Sequence, residues 1–393
     1  MRTFLTFLII LAITFSSFGL SHITIERTWS ISSSTPYEFS GALVANDSNQ
    51  RVLAVYTDED VVQYTDENGT IWLKYKGSAS KITGKAIVEI NYDTNIISDP
   101  SFLPNPLPST NLTSSTTTMR LLASSLAERN SSLRTIAALT NWVHNNMQYD
   151  ISYVGQIKNA PEVFKDLHGV CSEYTHLMIS LARSLGFESR YVGGYVFSDS
   201  WQPHAWSEIY LPSYGWLAAD PTFGQVGILD NSHVAIYRGD DQLSTYDTIL
   251  SNDKNATLEV SDTISSGISS TDEKGTSLDL KTDDYYSQVT ITNDRPDFVF
   301  GSYAFIIQKD YGVSESLVLL LEPNQVLKIS VPLNRSIISP EFQYYIPVTA
   351  SFNDAKDSGA FVIDVTPSNS LHSLCSALLI LPILLLLSLR LAG

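Results

Sequence analysis

Apolar and polar positions alternate along both flanks of this chain, and a three-to-four spacing takes over in its middle. Residues 21–98 read as a β domain. Runs such as Arg51–Tyr56, Thr70–Tyr75 and Ala86–Asn91 are rich in β-branched and aromatic residues, and the turn formers Asp66-Glu67-Asn68-Gly69 separate the first two. Residues 99–118 hold Pro100, Pro104, Pro106 and Pro108 and then a Ser/Thr cluster, the composition of an extended linker. Residues 119–245 open with helical spacing. Leu121, Leu122 and Leu126 mark one helix, and Ile136, Leu139, Trp142 and Val143 a second. Tyr174, Leu177, Met178, Leu181 and Leu185 mark a third, with Gly186 as its stop. Strand-like runs follow at Ser189–Phe197, His204–Leu211 and Gly215–Ala219. Helices followed by strands predict an α+β fold. Residues 246–282, dense in Ser, Thr and Asp, read as a polar linker. Alternation returns over 283–367, as in Gln288–Thr292 and Gln325–Val331, predicting a β-sandwich-like domain.

The two ends change the picture. Residues 1–20 carry Arg2, a short apolar run and small residues, the form of a secretory signal peptide. Residues 371–390 are apolar over about the minimum needed to span a bilayer, and Arg390 follows that stretch. They predict a C-terminal transmembrane helix, or a cleaved anchor tail. The expected location is therefore the cell membrane, single-pass, with an extracellular body. Six Asn-x-Ser/Thr sites (Asn46, Asn68, Asn111, Asn130, Asn255, Asn334) permit glycosylation there. Asp and Glu number 41 against 24 Lys and Arg, for a net charge of -17, and no basic cluster is present. Nucleic acid is thereby excluded as a partner, since nothing would neutralise its phosphates.

Chemistry enters through cysteine. The chain has two, and Cys375 lies in the apolar tail, so Cys171 stands alone in the body. It sits in Gly169-Val170-Cys171-Ser172-Glu173-Tyr174, at the start of the third helix, where free N–H groups and the macrodipole favour a thiolate. Gly169 allows close backbone approach, and the Cys171 N–H is placed to stabilise an oxyanion. Pro212-Ser213-Tyr214-Gly215 is a turn between two strand-like runs. A hairpin folded there brings His204 near Asp220, whose carboxylate would accept Nδ1–H and orient the ring. Metal binding by Cys171 with His168 or His176 lacks a second Cys or a carboxylate at a useful spacing. His144, His176 and His233 suggest no function. Trp201, Trp206 and Trp216 fit either a substrate groove or the core.

Gly169–Tyr174, then Leu181-Ala182-Arg183-Ser184-Leu185-Gly186 and Arg190-Tyr191-Val192-Gly193-Gly194-Tyr195, resemble the nucleophile helix and following strand of transglutaminase-like domains. His204-Ala205-Trp206, Gly215-Trp216 and Asp220-Pro221-Thr222 are similar to that family's His and Asp blocks. The resemblance covers about residues 130 to 225. It implies a papain-like core flanked by the two β domains, with Cys171 as nucleophile, His204 as general base and acid, and Asp220 as orienter. It also implies a thiol enzyme that attacks peptide or side-chain amides through an acyl-enzyme. Hydrolysis (peptidase or deamidase) is favoured over Gln-Lys cross-linking, and a catalytically silent surface scaffold is the competing class. A protein or peptide substrate is the expected partner, with no cofactor and no metal. Tyr149 and Tyr153 are the candidates for a second oxyanion donor. With the end signals, the resemblance points to a prokaryotic cell surface.

Overall fold

The computed structural model describes residues 22–363 apart from 59, 91–95, 228–232, 268–274, 340–341 and 354. Strands take 50% of it and helices 18%. The expected balance of an α+β chain is thus corrected to a mostly β protein built around a small helical block. Neither the signal peptide at 1–20 nor the transmembrane segment at 371–390 lies within the described residues. Among those that are described, no helix is long and apolar enough to cross a membrane. The single-pass membrane location therefore finds no support.

Four helices carry the middle of the chain: α1 (Thr117–Leu126), α2 (Ser132–Asn146), α3 (Ala160–Asp166) and α4 (Cys171–Ser184). Each begins where a local acceptor can take its first free N–H groups. Thr116, Ser131 and Asn159 accept from the backbone at Met119, Arg134 and Glu162. α4 instead uses Glu173 in its own first turn, which accepts from the Val170 N–H at 3.0 Å. α4 is buried along its whole length after Cys171, so its polar residues need partners. Arg183 donates to Thr113 Oγ1 and to the Ser189 carbonyl, and Ser180 to the Ser114 carbonyl.

A five-stranded antiparallel sheet lies against this helix. Its order is Gln225–Val226, Gly215–Asp220, Trp201–Leu211, Ser189–Phe197 and His233–Gly239. Ile209 and Leu217 pack with Leu139, Leu177 and Leu181 of the helices, each fully buried. Val192, Trp206 and Val234 join a second core with Ile25, Trp29, Leu43 and Leu73 of the N-terminal strands. The sheet is therefore covered on both faces, and each buried Leu or Ile is worth about 1.5–3 kcal/mol relative to exposure.

The N-terminal strands form two four-stranded sheets, and here the predicted linker at 246–282 is corrected. Thr248–Ser251 pairs with Tyr37–Ala45, and Thr257–Gly267 pairs with His22–Ser32 over eleven positions, Ser32↔Thr257 to His22↔Gly267. Thr276–Thr282 forms a further strand, paired with Tyr286–Asn293. Thr257–Gly267 is an edge strand with one face exposed, which explains its polar composition. Its half-buried Asp262 also reads as a loop residue, yet it accepts from Arg27 Nε at 2.9 Å. The C-terminal strands form a three-stranded and a four-stranded sheet closing on one core that includes Val289, Phe305, Val348 and Phe361. The side chain of Asn141, on α2, exchanges two hydrogen bonds with the backbone of Val318, at 2.7 and 2.9 Å.

Candidate active site

Cys171 is the first residue of α4. Val170 before it is extended, and Glu173 holds that turn by accepting the Val170 N–H. Gly169 is required at its position, because a Cβ there would fall 2.4 Å from Glu173 Cβ. As the first helical residue, Cys171 has no intrahelical acceptor for its N–H. The thiol is half-buried and packs beside Ile179, Tyr191 and Ala205.

The hairpin about residues 212–214 forms with register Leu211↔Gly215 to Ser207↔Ala219. It delivers His204 and Asp220 to one place, both buried, with His204 Nε2 2.7 Å from Asp220 Oδ2. The expected use of Nδ1 toward the carboxylate is thus corrected: Nε2 faces Asp220. Nδ1 is then the ring nitrogen left for Cys171, which lies near enough to the ring to help raise its pKa. Asp220 Oδ1 accepts the backbone N–H groups of Thr222 at 2.8 Å and Phe223 at 3.2 Å. The turn after Asp220 therefore fixes the carboxylate. Trp206 stacks beside the His204 ring at 6.0 Å between centroids and 25° between planes, and Phe223 lies 5.0 Å away.

The charges are strongly coupled. Burial disfavours an imidazolium at His204, but the Asp220 carboxylate and then Cys171 outweigh it and raise the pKa to about 10. Burial likewise opposes ionisation of Asp220, yet His204 and His233 hold its carboxyl well below the usual carboxylate range. The raised His204 value contributes stability that is full below the free imidazole's range, about pH 6.5, and lost as pH climbs toward the folded value. The depressed Asp220 value contributes stability present above about pH 4 and lost as pH falls. Asp220→Asn should therefore cost most stability between about pH 4 and 6.5, and less on either side, in denaturant midpoints measured at stepped pH. A cost that does not vary with pH would mean the ring is neutral.

The other expected residues separate cleanly. Tyr149 reaches the site because Gln148–Tyr149 pairs in parallel with His168–Gly169, the residues just before α4. Burial, then the nearby Cys171, Glu173 and Asp220, push its hydroxyl up to about 12, so it remains a donor. Tyr153 instead lies under Lys158, whose Nζ is 4.1 Å from the ring centroid. His168 and His176 do not join Cys171: their Nδ1 atoms meet the carbonyls of Asp166 and Lys158 at 2.7 and 3.0 Å. Trp206 is core, Trp216 lies 3.9 Å from the Arg190 guanidinium, and Trp201 stands edge-on to Phe197.

His233 is the residue that sequence reasoning missed. It is fully buried, with Nε2 3.1 Å from the same Asp220 Oδ2. Its only sequence signal was its place opening an apolar run, His233-Val234-Ala235-Ile236. His204, Asp220 and His233 each bring one metal-ligating type of atom within 4.8 Å of the others. At 2.7 and 3.1 Å the nitrogens are at hydrogen-bond distance from the carboxylate, and the trio reads as two N–H donors on one acceptor.

Residues 120–221 match the family model for the transglutaminase-like superfamily. The uncharacterized protein ML0607 of Mycobacterium leprae (strain TN) is 24% identical over 106 residues, 25% of this chain and 37% of that protein. The uncharacterized protein YebA of Bacillus subtilis (strain 168) is 29% identical over 90 residues, 19% of this chain and 12% of that one. This chain thus matches less than two thirds of either relative's length. A solved Cytophaga hutchinsonii structure, itself assigned as a cysteine protease only provisionally, shares the fold. Its TM-score is 0.50 at 19% identity, over 64% of this chain and 92% of that one. Residues 120–221 thus carry a transglutaminase-like domain, and that superfamily generally has cysteine-dependent enzymes.

Proposed function

We propose that the chain is a thiol hydrolase of peptide or side-chain amides, with Cys171 as nucleophile, His204 as base and acid, and Asp220 as orienter. The observation that carries this reading is the convergence of three positions distant in sequence, sulfur to ring and ring to carboxylate, at the start of a helix. Cys171 Sγ forms a bond to the amide carbon, and the carbonyl electrons move to oxygen. The Cys171 N–H meets that oxyanion, and Tyr149 is the candidate second donor. When the C–N bond breaks, His204 gives its proton to the departing amine or ammonia. Water then adds to the thioester with its proton passing to His204, and the acid leaves as the thiol is restored.

The acceptor decides between hydrolysis and cross-linking. Water needs no dedicated subsite, whereas a Lys amine must be held against the thioester, and hydrolysis is accordingly favoured. Mass spectrometry of a casein-type substrate, with and without a labelled primary amine, is expected to show deamidated or cleaved products and no label. Stoichiometric, Cys171-dependent label incorporation would overturn the hydrolase reading in favour of acyl transfer to amines.

A further inference from the structure

His233 touches Asp220 without a task in the mechanism above, and accounting for the carboxylate's hydrogen bonds gives it one. An ionised carboxylate offers about four lone-pair sites. Asp220 fills them with four N–H groups: Thr222 and Phe223 backbone on Oδ1, and the Nε2 atoms of His204 and His233 on Oδ2. We propose that His233 is a positioning residue, a second imidazole donor that keeps Asp220 ionised and turned toward His204. This inference rests on the triad reading above.

The fold has gone to some length to bring the two imidazoles together. His204 and His233 stand on different strands, either side of Ser189–Phe197, paired through His204↔Gly194 and Ala235↔Gly194. Gly194 has no side chain to stand between them, and a Cβ there would fall 1.9 Å from the Val234 carbonyl oxygen. The sheet closes tightly at this glycine, and the two rings meet with centroids 5.5 Å apart. Trp206 and Phe223 close the surroundings at 5.3 and 6.0 Å from the His233 ring.

The chemical consequence concerns a tautomer. While Asp220 is ionised it accepts from His204 Nε2, which leaves Nδ1 to exchange a proton with the sulfur. A protonated Asp220 would donate to Nε2 instead and put the ring's proton on Nδ1, blocking the base. Removing a donor from a buried carboxylate makes it easier to protonate. Loss of His233 should thus raise the pH at which activity fails on the acid side.

The remaining titratable groups facing the cluster include Tyr149, Glu173 and Tyr191, and His144 of α2, whose Nδ1 lies 3.2 Å from the Pro221 and Thr222 carbonyls just after Asp220. Both tyrosines are raised and stay protonated throughout the acid range. Burial raises the Glu173 carboxyl, so Glu173 titrates on the same side as Asp220.

The test is the pH profile of iodoacetamide labelling at Cys171 in the full chain. His233→Leu is expected to move the acid limb up by about one pH unit, which is about tenfold in rate on that limb. His233→Gln, which keeps an N–H donor at a similar reach, is expected to restore most of the wild-type profile. The shift should persist in a Glu173→Gln background. If Leu prevents folding, His233→Asn, polar but too short to reach Oδ2, should behave as Leu would. A Leu or Asn profile superimposable on wild type overturns the proposal, as does equal loss in the Gln and Leu variants, which marks a packing role. The triad reading fails separately, if labelling of the wild type does not depend on His204.

Discussion

His204→Ala is expected to lower amide turnover by on the order of 10⁶-fold and to remove rapid alkylation of Cys171, with the fold intact. On the proposed mechanism the sulfur loses the imidazole beside it, and the departing amine loses its proton donor. Cys171→Ala should be at least as damaging. The sharper prediction concerns the pair: because the two groups act as one unit, the double variant should be no slower than the worse of the singles. Multiplicative losses would show that sulfur and ring serve separate tasks, and the nucleophile assignment would fall with them. Denaturant midpoints must accompany the rates, since His204 is buried against Trp206 and Phe223 and its removal leaves a space.

How much of this could be read from the sequence follows from how local each signal is. α4 was fully legible. Its apolar spacing and the Gly186 stop, which sits at φ +93, agree with a helix over Cys171–Ser184. The His204–Asp220 hairpin was legible for the same reason, since one turn sequence fixes it. Which ring nitrogen faces the carboxylate was not legible, because that depends on where α4 docks on the sheet. α1 was located but its face was misread: Leu121 is 67% exposed, and Met119 and Ala123 form the buried stripe. Thr257–Gly267 was lost to composition. Leu258, Val260 and Ile264 do alternate, but the Ser, Thr and Asp between them outweighed that signal in a polar edge strand. His233 was invisible for a deeper reason. Its partner Asp220 lies three strands away in the sheet order, a contact that only the closure of the sheet at Gly194 creates.

The largest loss of stability is expected four residues along the strand from His204. Glu208 is 2% exposed and lies between two guanidiniums: Arg190 Nε at 2.7 Å and Arg238 Nε at 2.9 Å, both on Oε2. Burial alone would neutralise it, but Arg238 and Arg190 outweigh that cost and hold its carboxyl below the usual range. Arg238 also reaches Asp47 of the N-terminal β region at 2.5 Å, so the cluster ties the His204 strand to the neighbouring sheets. Glu208→Ala leaves two buried cations with a single partly exposed carboxylate. The penalty is that of uncompensated buried charge, about 3–5 kcal/mol. An exposed pair gives the contrast. Arg51 and Glu89 meet at 2.6 Å with side chains 66% and 35% exposed, and Arg51→Ala should cost far less than Glu208→Ala. Urea midpoints for the two variants decide the matter. If Glu208→Ala costs as little as Arg51→Ala, water reaches the arginines when the carboxylate is gone, and the cluster does not pin the His204 strand. If it costs the larger amount, replacing Arg190, Glu208 and Arg238 together by apolar residues of similar volume should recover most of it, because the penalty lies in the unpaired charges and not in the lost bonds.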